Sequence, residues 1–269
     1  VEGSDLDIIC QVDLTCEEDF LDELMFKKIV LLFLVVLGKS FAQKTVQDQS
    51  VWFAYAGQYK IAQKWGYHAE AQFRLDNELE QSLQNLYRVG AIYYLPKNQS
   101  LTAGYALVKT LNRSVDDYFS ENRIWEQYQI NKKWHSDKNT MTHRFRLEQR
   151  WVEQLGLVDD EVVNLATNYQ NRLRYLNRNL FQILPLHKNE SEIYGILQSE
   201  IFLNLGNNKV NAKFFDQNRF LVGLGVNFES KTRFELGYMN HFITSSSSNN
   251  LMRHTVSVSL FHNLNFLKQ

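Results

Sequence analysis

Residues 141–151, MTHRFRLEQRW, alternate apolar and polar side chains, apart from His143 and Gln149. In a β-strand, successive side chains point to opposite faces. One face of this strand therefore carries the apolar residues Met141, Phe145, Leu147 and Trp151. The other face carries the polar residues Thr142, Arg144, Arg146, Glu148 and Arg150. A water-soluble sandwich would bury the apolar face, whereas a barrel in a bilayer turns that face towards lipid and encloses the polar one.

The same period of two recurs in eleven segments between residues 51 and 266, and Pro occurs only twice in the chain. Short turns alternate with longer loops, among them residues 152–168, as in outer-membrane barrels with periplasmic turns. These patterns predict an all-β fold, an antiparallel transmembrane up-and-down β-barrel. Because such barrels normally have an even number of strands, we expect about 12 strands, with ten as the alternative. Residues 43–50 would then supply a further strand or pass through the lumen.

The N-terminal part of the chain predicts export. Residues 25–42 have the features of a signal peptide: Lys27 and Lys28, an apolar run over 29–37, and small residues at Ser40 and Ala42. Residues 1–24 carry nine acidic residues and no Lys or Arg, and we expect them to be a non-native or upstream-translated leader. Residues 43–269 are expected to form a single barrel domain in the cell outer membrane of a Gram-negative bacterium.

Composition excludes several kinds of site from that domain. Both cysteines, Cys10 and Cys16, precede residue 43, so disulfides and thiolate metal sites are not expected. The histidines are dispersed without metal-ligand spacing, and we predict no metal and no cofactor. Residues 43–269 have 26 basic and 21 acidic side chains, a mild excess that does not indicate a nucleic-acid partner.

The charged residues on the polar strand faces are the candidate site, because a barrel would gather them in its lumen. An arginine-rich lumen can be structural, since buried Arg and Glu must pair, or it can attract an anion, since guanidinium groups fit carboxylate and phosphate. The expected partners are therefore outer-membrane lipid and a small anionic solute. The predicted lumenal cluster is Arg144, Arg146, Glu148, Arg150, Arg172, Arg174, Glu200, Arg219, Arg233 and Glu235.

No catalytic residue is assigned, because the chain has no serine-centred elbow, P-loop or His-Glu-x-x-His pattern. The sequence favours a barrel with a charged, mostly packed lumen and a structural or small-solute transport role. An outer-membrane enzyme acting on lipid or lipopolysaccharide is one alternative. A soluble periplasmic β-protein that binds an apolar ligand is the other.

Four segments resemble a family of Gram-negative bacterial proteins of unknown function that are described as outer-membrane β-barrels. The segments are 121–127 (ENRIWEQ), 142–150 (THRFRLEQR), 171–175 (NRLRY) and 215–219 (FDQNR). The resemblance covers roughly residues 43–266 and implies the barrel architecture. It implies no activity and no site residues.

Overall fold

The structure, a computed structural model, describes residues 45–76, 78–186, 191–229, 231–245 and 249–267. The chain divides into two units between Lys44 and Thr45, and the first unit lies outside the described residues. The expected leader, 1–24, and the expected signal peptide, 25–42, fall in that first unit. Both stay predictions.

The described residues form a closed barrel, which confirms the predicted all-β fold. Strands that follow each other in sequence pair antiparallel, whereas the first and last strands pair in parallel. No helix in the described part of the chain is long and apolar enough to cross a membrane. The strands are β1 (Thr45–Lys60), β2 (Trp65–Asp76), β3 (Ser82–Leu95), β4 (Gln99–Asn112), β5 (Asp117–Trp134), β6 (Asn139–Val158), β7 (Glu161–Leu186), β8 (Ser191–Leu205), β9 (Phe215–Phe228), β10 (Thr232–Ile243) and β11 (Asn250–Asn265).

The described barrel has eleven strands, where about 12 were expected. Residues 45–50 neither add a strand nor cross the lumen. They extend β1, which pairs with β11 from Thr45 opposite Asn250 to Lys60 opposite Asn265. Because this closing pair is parallel, an odd number of strands can form a complete barrel, and the expectation of an even number does not apply.

The two ends of the barrel differ in their connections. One end, called here the short-turn end, has the connections 61–64, 96–98 and 135–138. The opposite end, called here the loop end, includes the connections 77–81 and 206–214. The barrel encloses a cavity between these two ends.

The connection between β6 and β7 differs from the predicted loop over 152–168. Both strands continue to a tight turn at Asp159 and Asp160, whose φ angles are 51° and 66°. Two such residues with positive φ suit the type I′ turn of a two-residue hairpin. Side chains near the tip, such as Leu157 and Leu165, are more than half exposed. With water on both faces there, the apolar alternation that reveals a strand in sequence is lost.

The outer surface of the barrel is mostly apolar, with exceptions such as Glu126, and has aromatic side chains towards both ends. Leu224 and Leu236, paired across β9 and β10, are 58% and 52% exposed. Near the short-turn end, the rings of Trp65 and Tyr93 lie 4.9 Å apart. Towards the loop end, the centroids of the Phe73 and Tyr87 rings are 6.0 Å apart. The shortest strands have 12 residues, enough for a tilted transmembrane strand of about 9–11 residues.

Candidate functional site

The barrel encloses a cavity of about 1100 Å³ whose lining is strongly basic. Five acidic residues of the described chain line it: Glu70, Asp137, Glu192, Glu200 and Glu235. Lys133 and Lys138 line it near the short-turn end. Twelve arginines of the described chain also line it: Arg74, Arg88, Arg123, Arg144, Arg146, Arg150, Arg172, Arg174, Arg178, Arg219, Arg233 and Arg253.

Glu148 of β6 is the central acid of the arginine network and has no exposed surface. Its carboxylate accepts hydrogen bonds from Nη2 of Arg172 at 2.7 Å and from Nη1 of Arg174 at 2.6 Å. Guanidinium nitrogens of Arg88 and Arg123 lie 3.9 Å from the same carboxylate. A single buried carboxylate therefore stabilises four arginines from three strands.

Glu200 of β8 extends this network across the lumen. Its Oε1 accepts hydrogen bonds from Nη2 of Arg144 at 2.6 Å and from Nη2 of Arg174 at 2.7 Å. Nη1 of Arg219 lies 3.7 Å from Oε2. Arg174 thus bridges the two acids, and the positive charge of β6, β7 and β9 is distributed over Glu148 and Glu200 together.

Two other carboxylates pair with arginines on either side of Glu148 and Glu200, one nearer each end of the barrel. Towards the loop end, Glu121 accepts hydrogen bonds from Nε of Arg123 at 2.5 Å and from Nη2 of Arg150 at 2.9 Å. Towards the short-turn end, Glu235 accepts a hydrogen bond from Nη2 of Arg178 at 2.5 Å. Burying a charge is costly unless it is paired, so these carboxylates stabilise the basic lumen.

Arg146 differs from the paired arginines, because it makes no ion pair with any described residue. Only 3% of Arg146 is exposed, and its Nε and Nη2 donate to Oε1 of Gln127 at 3.0 and 2.6 Å. Its guanidinium carbon lies 4.7 Å from the centre of the Trp125 ring. Its Nη1 is buried and has no hydrogen-bond partner among the described residues. Arg146 is therefore a donor with unused capacity on the wall of the cavity.

A network of amide side chains lies at the loop end, beside the connection between β8 and β9. Gln170 has no exposed surface, and its Nε2 donates to Oδ1 of Asn204. Nδ2 of Asn204 donates to the backbone oxygens of Lys213 at 2.8 Å and of Asn211 at 3.2 Å. The connection 206–214 is thereby fixed to the ends of β7 and β8. The lining of the cavity reaches Asp137 in the β5–β6 turn at the short-turn end, and it extends to Thr110 and Ile243 towards the loop end.

One wall of the cavity is apolar. A cluster of inward-facing residues from β1 and β7 to β10 covers it, and all of them also line the cavity: Trp52, Leu180, Tyr194, Ile196, Leu221 and Met239. In a polar lumen such a contiguous patch is unusual. The cavity thus has an apolar wall on these strands and a basic wall that includes Arg146.

The structure brings eight of the ten predicted lumenal residues into the connected network: Arg144, Arg146, Glu148, Arg150, Arg172, Arg174, Glu200 and Arg219. Arg233 and Glu235 lie apart from it, close to Arg178 and nearer the short-turn end. Sequence reasoning missed other charged residues of the lumen: Glu70, Arg74, Arg88, Glu121, Arg123, Arg178, Asp216 and Arg253. In β2 and β3 the polar side chains alternate with apolar ones, and this alternation was a signal that Glu70, Arg74 and Arg88 face the lumen.

Gly225 makes room for Tyr194, so we expect Gly225→Ala to destabilise the barrel. A Cβ atom at this position would clash with the Tyr194 ring, which is buried and donates a hydrogen bond to Glu235 at 2.8 Å. Such overpacking typically costs about 1–3 kcal/mol, measurable as a lower urea midpoint. Gly195→Ala is the control, because its Cβ would meet no atom closer than 3.5 Å. Equal midpoints for both variants would contradict the expectation.

No group of three or more His, Cys, Asp and Glu side chains that could hold a metal ion occurs within the described ranges. The arrangement instead offers guanidinium donors in an enclosed space, which suits recognition of carboxylate or phosphate.

Comparison with known proteins gives a family without an assigned activity. The model of a family described as "Protein of unknown function (DUF2490)" matches residues 49–252. An uncharacterized protein of Methylorubrum extorquens is 26% identical over 237 residues, which cover 86% of this chain and 94% of the relative. The crystal structure of the beta domain of the Bordetella autotransporter BrkA has a TM-score of 0.43 and 9% identity, covering 67% of this chain and 78% of that one. The resemblance to a family of unknown function is confirmed, and the chain belongs to the DUF2490 family.

Proposed function

We propose that this protein is an outer-membrane β-barrel whose lumen is closed at the loop end and binds a small anion that enters from the periplasmic side. The lining of the cavity carries the proposal, because its twelve described arginines outnumber its five described acids even when their further partners Asp48, Glu121, Glu148 and Asp216 are added. A cavity lined by one sign of charge with low-dielectric walls concentrates ions of the opposite sign. An anion is the ligand that this field attracts.

The outer surface supports the membrane location. Apolar side chains such as Leu224 and Val256 are about half exposed, whereas the twelve arginines of the cavity lining face the lumen. A soluble barrel would need the reverse arrangement. Aromatic pairs near both ends, including Trp65 with Tyr93, match the girdles of outer-membrane barrels. By the same rule, the short turns lie on the periplasmic side.

The loop end argues against a pore that crosses the whole barrel. Gln170 and Asn204 are almost completely buried, and they connect to the backbone of 206–214. These hydrogen bonds hold the connection 206–214 in place, and in the proposed barrel it obstructs the passage of an ion at this end. The cavity is therefore better suited to binding than to continuous conduction.

The first test of the proposal is fractionation. The mature protein should sediment with outer membranes, resist extraction by high salt, and migrate faster on a detergent gel when it is not heated. A closed barrel that keeps its hydrogen-bonded sheet in detergent has this heat-dependent mobility. Recovery of the protein in the soluble periplasmic fraction would overturn the membrane assignment.

The second test is electrical and calorimetric. Purified barrels in planar bilayers should give no steady open-channel current, because the loop end is closed.

In nanodiscs, butanoate should bind, as measured by titration calorimetry against empty nanodiscs, and butylammonium should not. A large ohmic conductance would contradict the closed lumen, and equal binding of the anion and the cation would contradict the anion site.

A further inference from the structure

The basic lining does not account for the apolar wall. A lumen that only attracted small hydrated anions would gain nothing from a contiguous patch of Trp52, Ile196, Leu221 and Met239. Burial of these side chains stabilises the folded barrel, which is one role of the patch. However, all four also line the cavity, so part of each side chain borders its space.

We propose that the cavity binds an amphipathic anion, with its acidic head at Arg146 and its hydrocarbon chain along the apolar wall. The inference rests on the proposed function of the cavity as an anion site and adds the class of ligand. A single alkyl or acyl chain with a carboxylate or phosphate head has both required parts.

The head-group position follows from the unused donors of the arginines. Nη1 of Arg146 and the Nε atoms of Arg88 and Arg144 are buried and have no partner among the described residues. All three arginines line the cavity. Arg88 and Arg144 already pair with Glu70 and Glu200, whereas Arg146 makes no ion pair within the part of the chain that the structure describes. A bound oxyanion would supply the missing negative charge and accept from these donors.

Arg146 is also held in a fixed orientation. Gln127 accepts hydrogen bonds from two of its nitrogens, and the guanidinium lies over the Trp125 ring. Both contacts leave Nη1 as the remaining donor. A preoriented guanidinium loses less entropy on binding than a mobile one.

The chain position follows from the apolar wall and the size of the cavity. Tyr194, Ile196, Leu221 and Met239 form one surface on β8, β9 and β10. The cavity volume of about 1100 Å³ is slightly above the usual range for small-molecule pockets, roughly 300–1,000 Å³. A chain of about eight carbons fits such a space, and burying each methylene should raise affinity about threefold to fourfold.

The experiment measures affinity against chain length. Barrels in nanodiscs are titrated with sodium butanoate, hexanoate and octanoate, and the uptake by empty nanodiscs is subtracted. We expect affinity to rise about tenfold for every two methylenes. Butyl and octyl phosphate are titrated beside the carboxylates, and a chain-length gain in either series supports the proposal and identifies the head group.

Variants separate the two parts of the site. Arg146→Met should weaken every ligand at least tenfold, and Arg146→Lys should restore much of the binding. Leu221→Asn combined with Met239→Gln should remove the gain from chain length while butanoate still binds. Val152→Thr is the matched control, since Val152 is buried but does not line the cavity, and it should leave the series unchanged.

The outcomes test the anion site and the amphipathic ligand separately. Equal affinity for butanoate and octanoate in both head-group series would overturn the amphipathic ligand and leave the anion site standing. No binding of any anion by a barrel that migrates as folded on a gel would overturn the anion site, and the further inference with it. A chain-length gain that persists in the double variant would overturn the assigned position of the chain.

Discussion

Glu148→Gln is expected to lower the free energy of unfolding by about 3–5 kcal/mol, the usual cost of removing one partner from a buried ion pair. The substitution keeps the shape of the side chain and removes its charge. Arg172 and Arg174 then lose their shared charged acceptor, and Arg88 and Arg123 lose the nearest neutralising charge of the centre. Glu148 is fully buried, so water cannot replace the lost interaction.

Urea-induced unfolding in lipid vesicles measures this loss, with Glu229→Gln as the matched control. Glu229 lies in the β9–β10 turn with its side chain 53% exposed, and it pairs with Lys231 at 3.7 Å. An exposed pair of this kind contributes at most about 1 kcal/mol. If Glu148→Gln costs no more than Glu229→Gln, the arginines are neutralised by other groups and Glu148 is not the centre of the network.

The sequence could predict the barrel and the inward face of its clearest strands, because the period of two is a local property. Arg144, Arg146, Glu148 and Arg150 alternate with apolar residues and face the lumen in the structure, as Arg172 and Arg174 do on β7. In the proposed membrane barrel, lipid outside and polar contacts inside impose this pattern on each strand separately.

The faces of β5 could not be predicted, because its side chains do not follow the rule that apolar residues point outward and polar residues point into the lumen. Trp125 points inward and is 1% exposed, whereas Glu126 is exposed on the outer side. Trp125 faces the lumen because it forms the surface on which Arg146 and Arg88 lie. Hydrophobicity alone therefore assigned no face to this strand, and Arg123 was missed.

Contacts across the lumen depend on barrel closure, which the alternation of side chains along a single strand cannot predict. Arg219 of β9 lies 4.9 Å from the Trp52 ring of β1, although the two residues are far apart in sequence. The parallel pairing of β1 with β11 sets this distance. Asp216 is a similar case, because a register irregularity after Phe202 changes the local alternation between β8 and β9.

Leu224→Arg is expected to destabilise the barrel by about 2–4 kcal/mol if the side chain lies near the bilayer midplane. Leu224 is 58% exposed on the outer face and is paired with Leu236, which is also exposed. The neighbouring outward side chains Val222 and Phe234 are apolar, so they offer the new guanidinium no partner. In lipid, the charge must therefore reach the interface or distort the bilayer.

Ser259→Arg makes the same kind of change on the inner face of the same part of the barrel. Ser259 lines the cavity, and its Cα partner in β10 is Glu235. A guanidinium there meets an acid and the cavity, and we expect a loss well below that of Leu224→Arg. Both variants are unfolded with urea in vesicles of the same lipid. Equal losses would mean that the two positions face the same environment, which contradicts the assignment of an outer lipid face and an inner polar lumen.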